Sequence, residues 1–104
     1  MQTAKLAAGI AAGAVLFAAA AGASLPAVEP PESYAKPGPV RKSIERMRQT
    51  LADRAAETWT AQRGAGICED AARRLRDYTT SRVYTPGLGE KLWRECHEAY
   101  TEVD

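Results

Sequence analysis

The chain has 104 residues with 14 basic and 13 acidic side chains, a formal net charge of +1. This length allows one small domain at most. The near-neutral balance gives no case for nucleic-acid binding. The charge is distributed unevenly along the chain, so the first quarter and the remainder belong in different environments.

The N-terminal segment is the most distinctive feature of the sequence. No charged residue occurs between positions 6 and 28, and a helix of that length rises roughly 34 Å, enough to cross a hydrocarbon core of about 30 Å. We therefore predict a single transmembrane anchor over residues 1–25. The alternative is a cleavable secretory signal, since Lys5 precedes the apolar run and Ala21, Gly22 and Ala23 precede Ser24.

The composition of this segment indicates what would surround it. Alanine dominates it and large side chains are few, which makes it a weak transmembrane helix on hydropathy. Gly9 and Gly13 form a GxxxG pattern that allows close approach of a second helix. We expect a retained anchor to contact other protein helices. Charge does not settle its orientation, because Lys5 competes with basic residues that follow the segment.

Residues 26–39 contain five prolines among polar residues, which predicts an extended, semi-rigid linker. Residues 40–104 form a small helical soluble part, so the fold class is all-α. Pro39 can open a first helix, which Gly64 and Gly66 would end. Its apolar stripe would contain Ile44, Met47, Leu51, Ala55 and Trp59.

Two further amphipathic helices follow and form a C-terminal helical hairpin. The first covers about residues 67–81. The second begins at Pro86, with Thr85 as its expected N-cap. The apolar faces comprise Ile67, Ala71, Leu75 and Tyr78 on one helix, and Leu88, Leu92, Cys96 and Tyr100 on the other, with Trp93 at the edge.

Three short helices bury little apolar surface, and domains of this size usually need a covalent or metal staple or a partner. Cys68 and Cys96 would lie nearly level in an antiparallel hairpin, which predicts a disulfide and an oxidising compartment. Two free buried thiols are the alternative. The arrangement resembles the disulfide-linked helical hairpins of mitochondrial twin Cx9C proteins, but here each helix carries one cysteine rather than two.

The sequence predicts no cofactor, no metal and no small-molecule substrate. Cys96 and His97 match the last two residues of CxxCH, the c-type haem attachment motif. The first cysteine of that motif would be at position 93, where this chain has Trp93. Zinc would lack a fourth ligand beside Cys68, Cys96 and His97, and no CxxC spacing is present. No nucleophile motif or phosphate-binding loop occurs. We therefore expect a protein that is not an enzyme.

Four basic residues follow the proline-rich stretch closely. They could contact anionic lipid headgroups, as juxtamembrane basic clusters do. They could equally form the solvated outer face of a helix, because acidic residues alternate with them. The four are Arg41, Lys42, Arg46 and Arg48.

Three functions are compatible with these features. The first is a structural accessory subunit of a large membrane complex, such as a mitochondrial respiratory or ATP-synthase assembly, with other subunits and lipid as partners. It would be single-pass, with its C-terminal part in the intermembrane space. The second is a secreted or periplasmic helical binding protein released near Ala23. The third is a membrane-shaping or assembly factor that self-associates through Gly9 and Gly13.

Overall fold

The computed structural model describes residues 25–81 and 83–103, and these residues form three α-helices and no strand. Helix α1 is Pro37–Asp53, α2 is Trp59–Ser81 and α3 is Pro86–Thr101. The all-α class is therefore confirmed. The predicted membrane helix before position 25, with Gly9 and Gly13, lies outside the described residues.

The three helices form an up-down-up bundle. Arg63 contacts Glu102, and Arg74, further along α2, contacts the earlier Glu95, so α2 and α3 are antiparallel. Helices α1 and α2 are also antiparallel, because a methyl group of Leu51, late in α1, lies against Gly64, early in α2. Consequently α1 and α3 run parallel and pack side by side, as the third pair of the bundle.

Helix α1 ends earlier than the sequence predicted. After Asp53 the backbone N–H of Arg54 bonds to the carbonyl of Leu51 at 3.1 Å, and a turn follows. The Thr58 hydroxyl then accepts the Ala61 N–H at 2.9 Å, which is an N-cap contact that begins α2 at Trp59. The prediction of one helix that continues to Gly64 was wrong because a capped start can interrupt an apolar repeat.

Gly64 and Gly66 lie inside α2 and do not terminate a helix. At Gly64 a Cβ atom would lie 3.1 Å from Leu51 Cδ1 and 3.3 Å from the Ala99 carbonyl oxygen. Glycine therefore allows α1 and α3 to approach α2 closely at this level. This packing role outweighs the low helix propensity of glycine.

The core is built from one apolar stripe on each helix, as the helical periodicity predicted. Helix α1 contributes residues from its first, middle and last turns, and its prediction holds as far as Leu51. Trp93 is buried and not peripheral. The buried hydrophobic residues are Val40, Ile44, Met47, Leu51, Ala61, Cys68, Ala71, Leu75, Leu92, Trp93, Cys96, Ala99, Tyr100 and Val103.

Residues 25–36, here called the strap, pack on the bundle between α1 and α3. They form neither helix nor strand, and a turn at Tyr34 and Ala35 leads into α1. Leu25, Val28 and Tyr34 contact the core. The Tyr100 hydroxyl, late in α3, donates to the Pro26 carbonyl, while Tyr84, just before α3, donates to the Tyr34 carbonyl at 2.6 Å. The strap thus runs antiparallel to α3. The proline-rich sequence predicted an extended linker over residues 26–39, but residues 37–39 form the first turn of α1, where proline is tolerated because the first N–H groups of a helix have no partner. Only the structure shows where the strap packs.

Candidate functional site

The structure brings Cys68 and Cys96 to disulfide distance, with their Sγ atoms 2.06 Å apart and their Cα atoms 4.6 Å apart. Both residues are fully buried. The bond connects the middle of α2 to the middle of α3, at the level where the sequence predicted it. Because solvent does not reach either sulfur, this pair is placed to staple the core and not to exchange with external thiols.

The residue beside Cys96 has an aromatic partner. The imidazole of His97 stacks on the indole of Trp93, with ring centroids 4.5 Å apart and planes at 15°. Trp93 in turn donates its indole N–H to Ser43 Oγ at 2.7 Å. Among residues 25–81 and 83–103, no group of three or more histidine, cysteine or acidic side chains could hold a metal ion.

The four basic residues of α1 do not form one cluster in space. Lys42 and Arg46 line a cavity against the strap, where Glu29 and Glu32 also lie. Arg48 lines a different cavity, between α1 and α2, where two arginines of α2 complete a polar groove with Glu45 and Glu69. Those arginines are Arg73 and Arg76. Arg41 also faces α2, beside Leu75 and Thr79.

Charge is strongly polarised along the bundle. One half consists of residues 36–46 and 71–94, which include the start of α1, the end of α2 and the start of α3. Among the described residues of these ranges nine are basic and three acidic, and Glu29 and Glu32 of the strap add two acidic side chains beside Lys42 and Arg46. The other half, residues 47–70 and 95–103, has three basic and seven acidic residues. We call these the basic end and the acidic end.

The strap begins at the acidic end. Leu25 and Pro26 line a cavity with His97, Tyr100 and Thr101, in the last two turns of α3. The N-terminal apolar segment therefore joins the bundle at its acidic end. Arg41 and Lys42, predicted as juxtamembrane lipid contacts, lie at the opposite end of α1.

An exposed tryptophan marks the acidic end. Trp59, the first residue of α2, is 71% exposed, and the Arg63 guanidinium lies 5.8 Å from its ring centroid. Arg63 also contacts Glu102 at 3.1 Å and lines a groove between α2 and α3. The sequence predicted that Trp59 lies on the buried stripe of a first helix that continues to Gly64, and this prediction was wrong. The Thr58 cap was the available signal. The groove is lined by Arg63, Ile67, Glu95, Glu98, Ala99 and Glu102.

A tyrosine contact fixes the other end of the strap. The Tyr84 hydroxyl reaches the Tyr34 carbonyl across Gly89, where any Cβ would overlap that hydroxyl and lie 3.1 Å from the Tyr34 oxygen. Burial raises the pKa of the Tyr84 phenol above its ordinary value, because desolvation disfavours the phenolate. Thr85 occupies the predicted N-cap position of α3, but its side chain makes no capping bond.

Within the part of the chain that the structure describes, no helix has the length and apolar character needed to cross a bilayer. Comparison of the chain with protein-family models, with curated proteins and with solved structures finds no match.

Proposed function

We propose that this chain is a non-catalytic structural accessory subunit of a large membrane protein complex, held on the oxidising side of the membrane. The fully buried Cys68–Cys96 pair supports an oxidising compartment. The apolar sequence of residues 6–24 supports a membrane anchor that ends where the strap begins. Its alanine and glycine content favours contact with neighbouring helices.

The observation that carries the proposal is the exposure of Trp59 at the acidic end. Tryptophan and arginine dominate the energetic centres of protein interfaces, and Trp59 lies beside Arg63, which lines a groove. The groove combines Ile67 and Ala99 with three glutamates, so it suits a neighbouring subunit that offers apolar and basic side chains. An anchor would also enter at this end, which supports a contact near the membrane part of a complex.

The specific form of the proposal is a subunit of a mitochondrial respiratory or ATP-synthase assembly, in the inner membrane with residues 25–103 in the intermembrane space. It is supported by the disulfide, which needs an oxidising compartment, and by the small size of the bundle, which makes a partner useful for stability. No cofactor and no small-molecule substrate is proposed, and the partners are other subunits and lipid.

Native gel electrophoresis after mild-detergent extraction of the tagged full chain tests this proposal. The wild type should migrate with a large complex. Trp59→Ala should release it, because about 2 kcal/mol or more is lost when an interface tryptophan is truncated. Gln62→Ala, also exposed and one turn further along α2, is the matched control and should stay bound. Retention of both variants in the complex, or a wild type that migrates alone, would contradict the proposal.

A second candidate is an exported helical binding protein without an anchor. It is favoured by the packing of Leu25 and Val28 on the core, because the folded unit then begins two residues after Ala23. Signal peptidases cleave after small residues of this kind. A retained anchor, by contrast, would join the bundle with almost no spacer.

The intact mass of the mature chain separates the two candidates. A mass that corresponds to a chain beginning at Ser24 supports export and contradicts the anchored-subunit proposal. A mass that includes the apolar segment contradicts export. This measurement is independent of the Trp59 experiment, so each proposal can fail by itself.

A further inference from the structure

The basic end carries most of its charge on exposed side chains. Lys36, Arg41, Lys42, Arg46, Arg73, Arg76, Lys91 and Arg94 are all exposed. Of these, Arg73 contacts Asp70 and Arg94 contacts Glu90. For the other six, no ion pair is formed with any residue the structure describes. Burial or internal pairing therefore does not account for this concentration of cations.

These side chains lie on all three helices instead of lining one face. Those nearest the tip of the bundle, where α2 connects to α3, are Lys36 just before α1, Arg41 in α1, Arg76 in α2 and Lys91 in α3. In the α2–α3 connection Val83 is 85% exposed, the most exposed large hydrophobic residue described. The tip thus combines one exposed valine with a ring of cations to which each helix contributes.

We propose that the basic end docks on an anionic phospholipid surface, with Val83 entering the headgroup layer and the surrounding arginines and lysines contacting lipid phosphates. Lysine and arginine residues near an anionic leaflet are attracted to its surface potential and each adds to binding. An exposed valine adds a smaller apolar contribution at the boundary with the acyl chains.

The ring arrangement favours a lipid surface over an acidic protein. A protein partner recognises one face, so its contacts would be concentrated on a single pair of helices. A headgroup layer is laterally uniform, and a ring of cations around a tip meets phosphates in every rotational orientation. The acidic end, with Trp59, has the opposite charge and is disfavoured against the same surface.

The position of this surface distinguishes it from a juxtamembrane contact. Helix α2 has 23 residues and spans roughly 35 Å at about 1.5 Å per residue. The strap begins at the acidic end, so the basic end lies about one bundle length from Leu25. The proposed lipid surface therefore faces the opposite end of the bundle and is distinct from a bilayer that an N-terminal anchor would enter. The proposal depends neither on the accessory role nor on retention of an anchor.

Partitioning of the full chain into sucrose-loaded vesicles tests the proposal. Vesicles of phosphatidylcholine alone are compared with vesicles that contain phosphatidylglycerol, at low and high ionic strength. The N-terminal segment contributes to both compositions, so the ratio of the two partition coefficients isolates the electrostatic contribution. This ratio should be well above one and should fall as salt rises.

Two double variants with the same change in net charge locate the surface. Arg41→Gln with Arg76→Gln should lower the ratio by about tenfold to thirtyfold at low salt. Gln49→Glu with Gln62→Glu adds the same negative charge at the exposed surface of the acidic end and should change the ratio several times less. Val83→Ser should weaken binding to anionic vesicles without changing net charge.

The outcomes are distinct. A ratio near one for the wild type overturns the proposal and directs the search to an acidic protein partner. Equal losses in the two double variants also overturn it, because net charge and not the basic end would then control binding. Melting temperatures of all variants, measured first, separate a loss of binding from a loss of fold.

Discussion

The indole N–H of Trp93 in α3 donates to the hydroxyl of Ser43 in α1 at 2.7 Å, and both side chains are buried. The two residues are 50 positions apart in sequence. Ser43 is the only buried polar residue in the described part of the chain. This bond fixes the lateral position of the two parallel helices, which no loop connects directly.

Ser43→Ala should lower the free energy of unfolding by about 1–3 kcal/mol, because the buried Trp93 N–H then has no partner. Urea unfolding followed by tryptophan fluorescence measures the change. Thr50→Ala is a useful control, since the Thr50 hydroxyl bonds only to the Arg46 carbonyl on the exposed surface of the same helix. Equal stability of Ser43→Ala and the wild type would mean that water satisfies the indole.

Replacement of Cys68 and Cys96 by serine should cost about 3 kcal/mol of stability, since the bond closes a loop between two helices that are distant in the unfolded chain. Thermal unfolding of the double variant and the wild type, with and without reductant, measures this cost. The wild type in denaturant should not react with an alkylating reagent until it is reduced. Alkylation of both cysteines in unreduced, denatured protein would contradict the disulfide.

Two glycines of α2 should respond to alanine in opposite directions. Gly64→Ala should destabilise the bundle by about 1–3 kcal/mol, because its Cβ meets Leu51 and the Ala99 carbonyl. Gly66→Ala should stabilise it by up to about 1 kcal/mol, since no atom lies within 4 Å of the added Cβ and alanine favours the helix. Denaturant midpoints for the two variants measure the difference, and a shared sign would rule out this packing account.

Stability should fall as the pH rises above about 10, and Tyr84 should account for part of the loss. Its raised pKa means that the folded chain holds the phenol proton where the unfolded chain has released it. The contribution is therefore fully present below the ordinary tyrosine pKa of about 10 and is lost as the pH rises through the folded-state value.

Tyr84→Phe isolates this contribution. At neutral pH the variant should be about 1 kcal/mol less stable, since the Tyr34 carbonyl loses its donor. The difference from the wild type should shrink between pH 9 and 11, measured by denaturant unfolding at each pH. A gap that stays constant with pH would show that Tyr84 is not the titrating group.

Much of the fold followed from local patterns. The apolar repeat identified the stripe of α1 up to Leu51, and Pro86 marked the first residue of α3. The level pairing of Cys68 and Cys96 followed from hairpin arithmetic, because two antiparallel helices advance at the same rise per residue. Each of these features depends on neighbours close in sequence or on one short loop.

The errors arose where a local pattern had two solutions. The repeat that ends at Trp59 fits one long helix or a helix followed by a capped start, and Thr58 selects the second. In the sequence Gly64 indicates a helix end. In the structure the three helices approach so closely at this position that there is no room for a side chain. Helix propensity contains no information about such a convergence.

By itself the sequence determined an all-α chain with an uncharged N-terminal segment, a proline-rich extension and a cysteine pair on two helices. Tertiary structure alone decided that the strap packs between α1 and α3, that Trp59 is exposed and that the four basic residues of α1 line three different cavities. It also decided the charge polarity of the bundle. The physical reason is that periodicity specifies which face of a helix is buried, whereas the partner of that face depends on contacts between distant segments.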